Sequence, residues 1–286
     1  MIPTMWYMDT KIKLRSQVNS QVVTASVEGS NARFQGPNAP TKGWFKFELN
    51  LKDPGFPTSL PVKYIQPIEI KYQDAALNPV TVQRSVTPGL SSIALEKYEL
   101  WLKISVRADG PDGPAPWGPA ASDVNLKLVV RCDVDTNDLF AYRYGTGNKG
   151  CVNAGYWPTV IFPASGYPYI GDNIRTGQGS GSPGAPNSNN PLHRVSTAQR
   201  TANYLASCGN AGRVAAELPP EPVPTPEIDE WQCDEYPFAS TQEGGALARM
   251  KWVPRAENGN QGILLREFYV TYRVILEDPF LVYAPT

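Results

Sequence analysis

The chain has 286 residues, enough for two buried cores, and its 28 prolines, 24 glycines and 14 tyrosines favour short strands and ordered loops over long helices. No stretch approaches the ~18–20 apolar residues that cross a bilayer, and Met1-Ile2-Pro3-Thr4-Met5 lacks the basic flank and apolar run of a signal peptide, so a soluble chain with no membrane partner is expected. Net charge is −1 but uneven: residues 1–132 hold 15 Lys and Arg against 11 Asp and Glu, a balance of +4, and residues 133–286 hold 11 against 16, a balance of −5, which denies the second half the basic excess of a tight phosphate binder.

In chain order, the first stretch reads as strands between Pro and Gly turns, with candidates at residues 21–27, 45–52, 64–72, 80–86 and 95–106. Within 45–52, Phe45, Phe47, Leu49 and Leu51 alternate with Lys46, Glu48, Asn50 and Lys52. That period of two turns one face to a core and the other to water. Val124, Leu126, Leu128 and Val130 repeat it, and Cys132 continues their inward register. The spacing suits a β-sandwich-like domain over 1–132, of unassigned role and with an unidentified partner. Residues 133–150 read as a linker and 151–286 as a second domain. There, residues 176–191 are almost wholly Gly, Ser, Pro, Asn and Gln, which predicts a loop or disorder. Residues 217–230 are Pro-rich and acidic, which predicts an extended polyproline-like connector. Helices are predicted over 197–205 and 261–275. In the latter, Leu264, Leu265, Phe268, Tyr269, Tyr272 and Ile275 form an apolar stripe, and Asn258-Gly259 is a start signal.

The four cysteines allow two disulfides in three pairings. Cys132 with Cys151 and Cys208 with Cys233 is the pairing that closes modest loops, each worth roughly 3 kcal/mol of unfolded-chain entropy. Zinc is the competing use, but there is no Cys-x-x-Cys spacing and His193 is the single histidine. Paired cysteines imply an oxidising compartment and hence a secreted protein. One histidine also excludes mechanisms that need two, and no Gly-x-Ser-x-Gly elbow marks a serine hydrolase.

The densest chemistry lies in Cys233-Asp234-Glu235-Tyr236-Pro237-Phe238-Ala239, then Glu243-Gly244-Gly245, then Glu257-Asn258-Gly259-Asn260-Gln261-Gly262. Adjacent carboxylates, a third after a tight turn and an amide at a helix start are hard-oxygen ligands suited to Mg²⁺ or Mn²⁺. The plain alternative is a solvated acidic strand end with Asn258 as an N-cap. This run resembles the signature of the NucA/NucB secreted deoxyribonucleases. Gly150-Cys151-Val152, Pro191-Leu192-His193-Arg194 and the Cys208/Cys233 pair are similar to longer, actinobacterial-type members with an N-terminal β domain. The likeness runs from Cys151 onward and is strongest over residues 233–262.

The resemblance implies a small α+β fold comparable to the ββα-metal nucleases, and an exported, metal-dependent endonuclease that hydrolyses DNA phosphodiester bonds without sequence preference. It makes Asp234 the general base or a metal-linked activator of the attacking water, with Glu235 beside it. Glu243 and Asn258 would bind or position a Mg²⁺ or Mn²⁺ ion. Arg194 would clamp a phosphate, its plain alternative being a surface ion pair. His193 would protonate the leaving oxygen or touch the phosphate, its plain alternative being a packed histidine. One departure stands out: many members have a His-Ile pair ahead of an Asp-Ala, where this chain has Tyr169-Ile170-Gly171-Asp172-Asn173. Tyr169 therefore replaces an imidazole. That loss, with the acidic second half, favours the second reading, a noncatalytic secreted binding or adhesion protein with a degenerate nuclease domain.

Overall fold

The computed structural model describes residues 5–35, 42–52, 63–86, 96–110, 113–114, 116–134, 143 and 147–286. It divides into two compact units, Met1–Gly155 and Tyr156–Thr286. In the first, β1 (Met5–Gln17), β2 (Ser20–Gln35) and β5 (Val80–Val86) make one antiparallel sheet in the order β1-β2-β5. The other contains β3 (Gly43–Lys52), β4 (Lys63–Lys71), β6 (Glu96–Gly110), β8 (Gly118–Val134) and β9 (Lys149–Asn153) in the order β4-β3-β6-β8-β9. A short β7 (Gly113–Pro114) pairs with β6, and helix α1 (Tyr72–Leu77) follows β4.

The two sheets share one core. Val23, Ala25 and Val27 of β2 cluster with Phe45, Phe47, Leu49 and Leu51 of β3 and with Ile65, Ile68, Ile70, Leu100 and Leu102. Lys46, Glu48 and Asn50 between them stay half-exposed, so the alternation read from 45–52 holds over 45–51 and the unit is sandwich-like. Strand β1 was not among the predicted strands, although Ile12 and Leu14 alternate there with exposed Lys11, Lys13 and Arg15. Cys132 and Cys151 face each other directly across β8 and β9, with Cα atoms 4.0 Å apart, and are joined by a disulfide. The bridge thus staples neighbouring strands of one sheet. Strand β9, which the sequence reading divides between linker and second domain, hydrogen-bonds as an edge strand of the first unit. Within the linker prediction, 135–142 and 144–146 lie outside the described residues. No helix among the described residues is long and apolar enough to cross a membrane.

The second unit runs β10 (Thr159–Ile161), α2 (Pro168–Gly179), β11 (Leu192–His193), α3 (Thr197–Ala206), α4 (Asn210–Ala215), β12 (Trp231–Tyr236), β13 (Arg249–Pro254), α5 (Arg255–Thr271) and β14 (Pro279–Tyr283). Strand β14 is the centre of a small sheet, parallel to β10 and antiparallel to β11. Strands β12 and β13 pair antiparallel and feed directly into α5. This is the strand-strand-helix unit that the family resemblance implies. Phe162, Ile170, Ile174, Leu192, Tyr236, Val253, Phe268 and Phe280 are buried around it.

Helix α3 appears where predicted, capped by Ser196, whose hydroxyl accepts from Gln199 N. Residues 217–230 form neither helix nor strand, as their prolines require. Two expectations fail for tertiary reasons, the first of them only in part. First, 176–191 is a loop only from 180 onward: 176–179 complete α2, and the loop that follows is tied down largely through its backbone groups. Val282 N donates to Gly184 O (2.7 Å), and the Tyr236 hydroxyl donates to Pro183 O (2.7 Å). Gly184 has φ +96°, and a Cβ there would lie 2.6 Å from the Tyr236 hydroxyl, so only glycine lets the chain approach this closely. Second, α5 begins at Arg255 and ends at Thr271, with Pro254 as N-cap. Asn258 therefore lies inside the helix, where its Nδ2 donates to Gln232 Oε1 at 3.0 Å. It caps nothing. Asn258→Ala should accordingly shift stability by no more than about 1 kcal/mol in urea denaturation, since one partly buried hydrogen bond is lost while helix propensity improves.

Candidate active site

Alternation along β12 decides which side chains meet. Gln232, Asp234 and Tyr236 share one face of the strand pair with Val253, Lys251 and Arg249, their cross-strand partners. Cys233 and Glu235 share the other face with Trp252 and Met250. The first face meets α2 and α5. The second meets α3 and α4 through the Cys208–Cys233 disulfide and Arg213, whose guanidinium lies 5.5 Å from the Trp252 ring. The adjacent carboxylates of the sequence motif are thereby parted.

Asp234 is 3% exposed, and Asn173 Nδ2 donates to its Oδ2 at 2.9 Å. Burial pushes its pKa up to about 6, against the side-chain amides of Asn173 and Gln261, which favour the charged form. The Glu257 charge adds to the rise. A carboxylate with that proton affinity is ionised at neutral pH yet basic enough to take a proton. Asn173 reaches it because α2 is held in place from another element. Tyr167, the N-cap residue of α2, provides no side-chain cap, and Glu257 Oε1 instead accepts from Ile170 N at 2.7 Å. Burial holds the Glu257 carboxyl above its ordinary range, opposed by the Ile170 and Tyr169 amides. Gln261, one turn along α5, is buried on the same side.

Glu235 has a different environment. Its Oε1 accepts from Ala239 N at 3.1 Å and its Oε2 lies 3.1 Å from Cys208 Sγ. A disulfide sulfur carries no proton, so this is a close contact and not a hydrogen bond donated by sulfur. Burial, then the charge of Asp234, pushes the pKa up to about 8, so Glu235 is mostly neutral at pH 7. Because the folded value exceeds the ordinary 4.5, the stability linked to this proton is complete below 4.5 and lost as pH rises through about 8. Glu235→Gln, which keeps a neutral side chain, should flatten the fall in urea midpoint between about pH 6.5 and 8.5; an unchanged slope would refute the protonated carboxyl.

His193 and Glu243 form a second group. Glu243 Oε1 lies 2.7 Å from His193 Nδ1, and its Oε2 accepts from His193 N at 3.0 Å. One carboxylate thus fixes both the ring and the strand that carries it. The Glu243 charge also raises the pKa of Tyr236, which shares the Asp234 face, after burial as the larger cause. Arg194 donates from Nη1 to Val274 O at 2.7 Å and lies 4.9 Å from the Tyr269 ring centroid. Tyr169 packs edge-on against Trp231 with centroids 5.5 Å apart. Glu243 and Asn258, the expected ion ligands, are thus engaged with His193 and Gln232 respectively.

Among the described residues no three His, Cys, Asp or Glu side chains gather as a metal centre. Hard-oxygen donors do lie beside Asp234: Asn173 Oδ1 is buried with no hydrogen-bond partner. A buried carboxylate with a free amide oxygen fits Mg²⁺ or Mn²⁺, which keep several waters and need few protein ligands. Sequence reading missed Asn173 and Gln261. The signal was partly there, since Glu257, Gln261 and Leu265 fall at helical i, i+4 spacing and put two polar residues on a buried face. Residues 183–283 match the family model described as Deoxyribonuclease NucA/NucB. No curated protein matches the chain.

Proposed function

With residues 183–283 forming a NucA/NucB deoxyribonuclease domain, we propose that the second unit is an exported, divalent-metal-dependent endonuclease for DNA, with Asp234 as its general base. The observation that carries this reading is the buried Asp234, raised to about 6 and oriented by Asn173. Asp234 takes a proton from a water, and the resulting hydroxide attacks the phosphorus. The bond from phosphorus to the leaving oxygen breaks, and that oxygen takes a proton. His193, held through Nδ1 by Glu243, is the proposed donor of that proton. Mg²⁺ or Mn²⁺, held by Asp234 and Asn173 Oδ1, would supply Lewis-acid stabilisation of charge on the phosphoryl and leaving oxygens. Export rests on the two disulfides, which persist in oxidising compartments.

Plasmid DNA should be nicked in Mg²⁺ or Mn²⁺, with activity abolished by chelator and restored by excess ion. Agarose electrophoresis of supercoiled plasmid reads this directly. No cleavage with either ion at any pH from 5 to about 9, a range that spans the raised carboxylates, would make the noncatalytic binding protein the better reading.

A further inference from the structure

Resting on the nuclease reading above, we propose that Lys251, Arg249 and Arg175 grip the DNA phosphodiester backbone beside Asp234, and that Asp172 holds this site in the free protein until a phosphate displaces it. Lys251 is the direct cross-strand partner of Asp234, so its side chain rises next to the reacting carboxylate. Its Nζ lies 2.5 Å from Asp172 Oδ2. Arg249 sits two residues along β13 on the same face and is exposed. Arg175 follows Asp172 by three residues on α2, which makes them neighbours on the helix surface, and its Nη1 is anchored on Pro285 O at 2.9 Å.

Three cations therefore surround one carboxylate. The hydrogen bond from Lys251, then the charges of Lys251, Arg175 and Arg249, hold the Asp172 carboxyl below its ordinary range. The Asp172 side chain is 51% exposed and that of Lys251 27%, so an incoming anion can reach the pair. A phosphodiester carries the same single negative charge as the carboxylate it would replace. It would meet the same three cations, Lys251, Arg175 and Arg249.

The acidic balance of the unit does not oppose this. Residues 156–286 hold 9 Lys and Arg against 13 Asp and Glu, but five of those acids (Glu217, Glu221, Glu227, Asp229 and Glu230) lie in the Pro-rich connector. Contacts confined to the backbone carry no base information, which suits a nuclease without sequence preference.

The test is anisotropy of a fluorescein-labelled DNA duplex with the full chain in EDTA, titrated over salt. Arg249→Ala and Lys251→Ala should each weaken binding several-fold and reduce the log–log salt slope by about one. Asp172→Asn should tighten binding several-fold, because it removes the competitor and leaves the cations. Unchanged affinity and slope in Arg249→Ala, an exposed position where folding is not at stake, would overturn the proposal. So would Asp172→Asn binding no more tightly than wild type, or wild type failing to bind in EDTA. Any of these with metal-dependent cleavage intact leaves the nuclease reading standing; loss of wild-type cleavage instead removes that reading.

Discussion

Asp234→Asn is expected to slow Mg²⁺-dependent plasmid cleavage by on the order of 10²–10⁴-fold, the range of a general-base contribution. The substitution keeps the shape and can keep the Asn173 hydrogen bond, with the new amide oxygen as acceptor. It also removes a carboxylate whose burial already disfavours its charge. Thermal unfolding should therefore stay near wild type. In the wild type, cleavage should rise with pH from the acid side and then level, since the base must be ionised to take a proton. That inflection should vanish from the residual activity of the variant. Cleavage near the wild-type rate, with the same pH profile, would remove Asp234 from the chemistry.

Replacing Cys208 and Cys233 together by serine should destabilise the second unit by about 3 kcal/mol, the chain-entropy value for a loop of this length. The two residues are 25 apart in sequence. At the size of this unit the loss corresponds to a fall in Tm of roughly 10 °C. Cleavage at moderate temperature should fall as well, because Cys233 precedes Asp234 on β12 and the bridge fixes the strand against α3 and α4. Calorimetry and a cleavage assay with and without reductant would check both. The Cys132→Ser/Cys151→Ser pair acts on the first unit's sheet. It should lower stability there without touching the cleavage rate.

Much of the architecture could be read from local pattern, because a strand with one dry face must alternate. Phe45 to Leu51 shows that alternation directly, and its buried and half-exposed residues fall as the sequence orders them. The cysteine pairing followed from loop length, and the Asp234 motif lay in a continuous run that a family signature can capture. Helix α2 was missed because its N-terminus is capped by Glu257, which lies far along the chain. Residues 176–179 were misread as loop, and the order of the loop at 180–191 was not legible, because composition reports side chains, whereas that segment is held largely by its backbone.

At the site the division is sharper. The sequence by itself determined which carboxylates are available and that they are neighbours in the chain. It could not determine that they part, since Asp234 and Glu235 are separated only once the strand pair has α2 and α5 on one face and the Cys208–Cys233 bridge on the other. Tertiary packing alone set the proton affinities, because desolvation and opposing amides come from distant elements. It also joined His193 to Glu243 across 50 residues of sequence and gathered Arg175, Arg249 and Lys251 around Asp172 in a unit that is acidic by count. Charge and hydrogen bonding act through space, so their partners are fixed by the fold and not by order along the chain.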